Sequence, residues 1–380
     1  MIKREYLQKI LEEYFEWFHR HPETALEEFE TTEHIKKVLE QNNIEIINSS
    51  LKTGLVAIIR GKREKPVIAL RCDIDALEIQ EETELSYQSE NPGKMHACGH
   101  DFHTTAILGA ALLLNERKQE LEGTVKILFQ PAEEANHGAE KVLETGVLDD
   151  VDLIFGLHVI PDMEPGTVVF TEGGNYAAVD KFVVDIEGIG SHAAHPHKSI
   201  DPIVVSAQLI NAFQTIISRG LDPFDNAVIS VTSIHAGTTW NVISASAQMV
   251  GTVRTFNKDT RDGIHMRMAE ICKGIGSAFG AKVNFNWYPG APATNNDPGL
   301  IRLTKDIAGE EGMNTIIGHP TMGGEDFACY QERIKGAFIE IGIGESYPLH
   351  HSKFKVDKSV LYSTAKLFAE IGEKSIKTLL

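Results

Sequence analysis

Cysteine is scarce in this chain. Cys72, Cys98, Cys272 and Cys329 are the four among 380 residues, and no two of them form a C-x-x-C pair. That spacing argues against a disulfide framework and predicts a reducing, cytoplasmic compartment. Positive charge is also short, with 36 Lys plus Arg against 54 Asp plus Glu and a net charge of −18. Such a balance disfavours nucleic acid and anionic membrane as partners. Long apolar runs are missing too. The longest, Ala106 to Leu114, falls far below a membrane span, and the N-terminal stretch with Glu12, Glu13 and Glu16 lacks the apolar core of a secretion signal. No internal repeat, low-complexity tract or Pro-rich linker interrupts the pattern.

A chain of this length exceeds the size at which one core usually keeps growing, so two domains are expected. Apolar spacing predicts helices over 2–18 and 27–41, then short strands over 45–48, 55–60 and 66–71. A helix over 102–118, a strand over 124–129, a helix over 139–145 and a strand over 153–157 follow. Strands alternating with helices predict an α/β fold, a largely parallel sheet with helices on both faces and ligands beyond the carboxyl ends of its strands. From 181 to 288 the order becomes strand, helix, strand, strand, helix, strand, the ferredoxin-like split motif. We read 181–289 as an inserted domain and 1–180 with 290–380 as one discontinuous domain. Gly, Pro and Asn near 178–180 and 289–296 mark the hinges. Helices over 298–310 and 358–379 and a strand over 337–341 complete the chain.

The stretch Met95-His96-Ala97-Cys98-Gly99-His100-Asp101-Phe102-His103 gathers a thiol, imidazoles and a carboxylate into nine residues. In an extended segment the side chains of Cys98 and His100 would point to the same side, with Gly99 adding no bulk between them. A lone cysteine is more often a small buried hydrophobe. Beside His100, Cys98 reads instead as a ligand, because thiolate with imidazole suits a divalent transition metal. Asp101 and His103 read as groups that orient the ligands.

Glu133-Glu134 follows a predicted strand. Two adjacent carboxylates there repel unless a cation holds them, so one can bind metal while the other serves as general base to a water. His158 ends an apolar strand, and His350-His351 lies near the C-terminus. Each is ambiguous alone, though metal sites commonly gather ligands distant in sequence.

Together these motifs resemble a known family. His96-Ala97-Cys98-Gly99-His100-Asp101, Gln130-Pro131-Ala132-Glu133-Glu134, Phe155-Gly156-Leu157-His158, Gly323-Gly324-Glu325-Asp326-Phe327 and His350 with Phe354 are similar to the two-metal amidohydrolases and peptidases that include aminoacylases and glutamate carboxypeptidases. The cysteine ligand resembles the branch of hippurate hydrolases, indole-acetyl-amino-acid hydrolases and bacterial N-acyl-amino-acid deacylases. Arg71-Cys72-Asp73-Ile74-Asp75-Ala76-Leu77 and His21-Pro22-Glu23 extend the likeness over essentially the whole chain.

The resemblance implies metal ligands Cys98, His100, Glu134, His158 and His350 for two divalent ions (Mn, Zn, Co or Ni), with Glu133 as base. Asp75 and Asp101 stand behind the ligands. In the inserted domain it implies that His192 stabilises the oxyanion, often across a homodimer, and that Asn241 and Arg254 hold the substrate carboxylate. Arg supplies a planar fork matched to that group. The expected activity is hydrolysis of the amide bond of N-acyl amino acids, a small-molecule substrate, by metal-activated water. A metallo-dipeptidase or aminopeptidase, or a noncatalytic metal-binding dimer, are the competing readings. Glu78 and Ser244 stand where relatives commonly carry Pro, and neither position is a ligand.

Overall fold

The computed structural model describes residues 3–135 and 138–380, so the first residue of the helix expected over 2–18 lies outside the described residues. In chain order the N-terminal part gives helices α1 (Arg4–Arg20) and α2 (Phe29–Gln41), strands β1 (Glu45–Ile47), β2 (Leu55–Arg60) and β3 (Val67–Asp73), and helix α3 (His100–Glu116). Strand β4 (Thr124–Gln130), helix α4 (Gly138–Glu144) and strands β5 (Leu153–Ile160), β6 (Val168–Phe170) and β7 (Gly173–Gly174) follow. The middle holds β8 (Ala178–Glu187), β9 (Ser191–His192), α5 (Pro202–Thr215), β10 (Ala227–Ala236), β11 (Val242–Ile243), β12 (Ser246–Thr255), α6 (Lys258–Phe279) and β13 (Lys282–Pro289). The last part adds β14 (Asn295–Asn296), α7 (Pro298–Glu310), β15 (Thr315–Ile317), α8 (Phe327–Gln331), β16 (Lys335–Gly342) and α9 (Leu361–Thr378).

The chain divides into two compact units. One comprises Met1–Gly173, Asn295–His319 and Asp326–Leu380, and the other Gly174–Thr294 with Pro320–Glu325. The first is a mixed α/β layer structure on an eight-stranded sheet of order β1-β2-β4-β3-β5-β16-β6-β15. Strands β4, β3, β5 and β16 run parallel in its centre. β1 and β2 are antiparallel at one side, and β6 is antiparallel to β16. The central strands are buried along nearly their whole length, which is why they read as continuous apolar runs rather than alternating ones. Helix α3 is buried on every face from His100 to Leu114, and its small residues explain how. A Cβ on Gly109 would sit 2.8 Å from Ala365 of α9. α1 is instead amphipathic, burying Leu7, Leu11, Phe15 and Phe18 at helical spacing.

This packing fixes the functional edge. Asp73 pairs with Gln130 at the ends of parallel β3 and β4, and Arg71 lies level with Gly156 of β5. The carboxyl ends of three strands therefore converge, as expected for ligand sites in such sheets. His158 differs from expectation in detail: it lies within β5, which continues to Ile160.

The second unit has its own core, built from Phe182, Val184, Ile186, Leu209, Phe213, Met249, Val253, Ile264 and Met268. Its four-stranded sheet has the order β10-β12-β8-β13, and every neighbouring pair is antiparallel. Helices α5 and α6 are capped by Asp201 and Asn257, whose side chains accept from backbone amides of the first turn. A separate two-stranded ribbon joins β9 to β11.

Candidate metal centre

The Cys98–His100 segment is not extended as the alternation argument requires. Gly99 adopts φ 85° and ψ 15°, a left-handed cap from which α3 starts at His100. A side chain there is excluded twice, by the conformation and by Val159 Cγ2, which would lie 2.4 Å from a Cβ. The tight turn, rather than strand alternation, brings the Cys98 and His100 side chains to one centre.

The hydrogen bonds of the imidazoles decide which can ligate. His100 Nδ1 lies 2.8 Å from the Asp75 carbonyl and donates to it, while Nε2 is buried and makes no hydrogen bond among the described residues. His158 Nδ1 likewise donates to the Val159 carbonyl at 2.7 Å, and its Nε2 stands 3.4 Å from Cys98 Sγ. Imidazoles whose Nδ1 is backed by a carbonyl, with Nε2 turned to the centre, are the usual state of metal-binding histidines. His103 is different. Its Nδ1 meets Asp73 at 2.6 Å and its Nε2 accepts from the Val159 amide at 2.9 Å, so both nitrogens are committed.

Asp75 gathers the next loop. Its two carboxylate oxygens accept from the backbone amides of Glu133 and Glu134 at 3.1 and 3.0 Å, which fixes where both side chains start. Glu134 Oε1 comes within 3.9 Å of His100 Nε2 and 3.3 Å of His350 Nε2. His350 is half exposed, holds φ 65°, and is tied by its amide to the Ala97 carbonyl at 2.8 Å. Donor atoms of Cys98, His100 and His158 lie within 4.8 Å of one another, as do those of Cys98, Glu134 and His350, and those of His100, Glu133 and Glu134. One thiol, three imidazoles and adjacent carboxylates are a donor set for divalent transition ions.

The electrostatics agree. Burial opposes a charge on His100, yet Asp73 and the Asp75 contact raise its pKa well above the usual histidine range. His350 is raised by its contact with Glu134. Protons thus settle where carboxylates are in excess, and a proton and a metal ion compete for the same lone pairs. His158 is pushed down to about 3 by burial and then by His103, so it is neutral and ready to ligate.

Behind the centre lies a group whose members stand in the quoted motifs but were given no role there. Arg71, with no exposed surface, donates to Gln130 at 2.8 Å, Asp73 at 2.7 Å and Asp326 at 2.8 Å. Burial opposes a charge on Asp73, yet the charges of His100 and Arg71 and the hydrogen bond from His103 hold its carboxyl well below the usual range. The signal was present: charges inside an apolar buried strand must be paired. Asp101 does not reach the ligands directly. It accepts from its neighbour's amide at 2.8 Å and meets His19 Nδ1 at 2.6 Å, while His19 Nε2 faces Glu81 at 3.2 Å.

The remaining predicted residues lie in the second unit. His192 pairs with Val242 on the β9–β11 ribbon, and the Ala193 amide donates to the Asn241 carbonyl at 3.0 Å, so His192 and Asn241 are neighbours. The Ala194 amide donates to His192 Nδ1 at 3.0 Å, so the neutral ring carries its proton on exposed Nε2. Arg254 stands on the separate four-stranded sheet, half-buried, with its Nε donating to Thr252 at 3.1 Å. Burial lowers its pKa, partly offset by Asp180.

Residues 69–374 match the model of peptidase family M20/M25/M40. An N-acetylcysteine deacetylase of Bacillus subtilis (strain 168) is 45% identical over 362 residues, 95% of each chain. An N-acetyl-L-cysteine deacetylase of the same strain is 46% identical over 364 residues, 94% of this chain and 88% of the other. The crystal structure of a dinuclear metal-binding M20 peptidase from Bacillus subtilis superposes with a TM-score of 0.90 at 42% identity, covering 98% of this chain and 99% of that one.

Proposed function

Because this chain belongs to peptidase family M20/M25/M40, we propose that it is a metal-dependent amidohydrolase that cleaves the amide bond of N-acyl amino acids, N-acetyl amino acids among them, to a carboxylic acid and a free amino acid. The observation that carries this reading is the Asp75 clamp on two successive amides, which sets Glu133 beside Glu134 within the donor cluster. A metal store has no use for a second carboxylate at that point, whereas hydrolysis needs one as ligand and one as base.

Cys98, His100, Glu134, His158 and His350 would hold two divalent ions. When bound, these supply Lewis acidity to the scissile carbonyl and lower the pKa of water. Glu133 takes the proton of the attacking water and delivers it to the leaving amine. His192 donates its Nε2 proton to the developing oxyanion, a contribution typically about 2.7–4 kcal/mol per donor. Arg254 and Asn241 hold the substrate carboxylate. Asp75 supports the base and Glu134 through their amides, and Asp101 supports the metal loop through His19.

We take residues 181–289 as a ferredoxin-like lid and dimerisation domain of a homodimer, with 1–180 and 290–380 as the catalytic domain. The strand order, the two helices and the separate core support the ferredoxin-like part of this reading. The compartment proposed is the cytoplasm; among the described residues no helix is long and apolar enough to cross a membrane.

The test is turnover on paired substrates with Mn, Zn, Co or Ni supplied: an N-acetyl amino acid against the free dipeptide carrying the same C-terminal residue. Faster cleavage of the acetyl compound is expected. Preference for the dipeptide would make the protein a peptidase, and no cleavage across a panel of acyl groups would leave only metal binding.

A further inference from the structure

Glu28 belongs to the acidic run Glu27-Glu28-Phe29-Glu30, where a sequence reader expects solvated charge. The structure places it otherwise. Glu28 has no exposed surface, alone in that run. Its Oε1 accepts from the Ala132 amide at 2.8 Å, across 104 residues of sequence. Its pKa is raised, chiefly by burial, with Asp75 adding repulsion.

The residue it holds is unusual. Ala132 has φ 58°, a left-handed backbone that alanine rarely adopts and that needs its surroundings to maintain it. Pro131 precedes it and brings no amide to help. Glu133 and Glu134 follow, with their amides on Asp75. Three successive amides, 132 to 134, are thus held by two buried carboxyl groups, Glu28 on the first and Asp75 on the other two. Nothing on the Glu28 side chain needs to reach substrate or metal for this arrangement to work.

We propose that Glu28 is a positioning residue for the general base, fixing the left-handed turn at Ala132 from which Glu133 is aimed. The inference rests on Glu133 being that base. It makes a distinction that charge alone does not: what matters is an acceptor oxygen at the right reach. Glu28→Gln keeps an oxygen at that reach and loses the acid. Glu28→Asp keeps the acid but is one methylene too short.

The experiment compares kcat, KM and metal content of the fully metal-loaded wild-type chain, Glu28→Gln, Glu28→Asp, Glu28→Ala and Glu133→Gln on an N-acetyl amino acid, with rates divided by the folded fraction from circular dichroism. Glu28→Gln is expected within about threefold of wild-type kcat. Glu28→Asp and Glu28→Ala are expected to lose roughly tenfold or more in kcat, with KM and metal stoichiometry near wild type. Asp outperforming Gln would overturn the proposal, because charge would then be the operative property. So would wild-type kcat in Glu28→Asp, or losses that track metal content alone. If Glu28→Ala does not fold, the Gln and Asp pair still decides. Full activity in Glu133→Gln would instead remove the base assignment itself, whereas an inactive Glu133→Gln beside a fully active Glu28→Asp would remove only the role of Glu28.

Discussion

Burial pushes the Cys98 thiol well above its ordinary pKa, and the neighbouring Glu134 carboxylate adds to the push. A thiolate is what a metal needs, so the free-energy cost of ionising Cys98 is met only when a cation arrives. Metal binding should therefore release protons, from Cys98 and from His100 and His350, both raised in the metal-free cluster. Cys98→Ala should lower metal content by elemental analysis and release fewer protons on metal addition in weak buffer. Unchanged stoichiometry would remove Cys98 from the ligand set. Cys98 and His100 were legible as metal-competent because their chemistry is concentrated in nine residues. Arg71, Asp73 and Asp326 were less so: their roles come from mutual pairing across 255 residues, which no local pattern encodes. Glu28 was hidden more deeply, inside a run whose composition predicts solvent exposure.

Among the elements, α3 depends most on one backbone angle. Gly99→Ala would place a Cβ in a left-handed conformation, costing about 1–2 kcal/mol, and press it on Val159, where overpacking typically costs about 1–3 kcal/mol. The expected outcome is a lower urea midpoint together with reduced metal content, since Cys98 and His100 flank the turn. Adding Val159→Ala should recover the steric part only; full recovery would show that the angle carries no cost. Long, strongly periodic helices and buried strands were legible from apolar spacing. The three-residue strands β6 and β15 were not, and β1, equally short, was read as the run 45–48; three residues hold so little periodicity that strand and loop separate in some places and not in others. Helix α8 is one turn of five residues and was lost for the same reason.

For the whole molecule, two buried histidines tilt stability in opposite directions with pH. His19 is raised to about 9 by Asp101 and Glu81 against burial. Its contribution is full below an unfolded value near 6.5 and is lost as pH rises through 9, at most about 3 kcal/mol. His96 is lowered to about 4 by burial, so the fold excludes its proton. Stability from that source is full above 6.5 and falls as pH drops toward 4. Urea midpoints measured from pH 5 to 10 should peak between those limbs, and His19→Gln should flatten the alkaline one while leaving the acid one. An unchanged alkaline slope would assign it to other groups. At this scale the parallel centre of the sheet was legible from alternating strands and helices. The antiparallel placement of β1, β2 and β6 was not, since it depends on partners chosen in the tertiary fold.

Synthesis imposes an order on the Arg71 cluster. Arg71 leaves the ribosome 255 residues before Asp326, an interval of roughly 13–50 s at about 5–20 residues per second. Asp73 follows two residues after Arg71 and Gln130 only 59 residues later, so for the whole interval the guanidinium lacks one of its two carboxylates, and His350 is later still. The nascent chain therefore carries Cys98, His100, Glu134 and His158 for many seconds before the edge that orients them can close. Metal uptake in the folded arrangement belongs to the completed polypeptide.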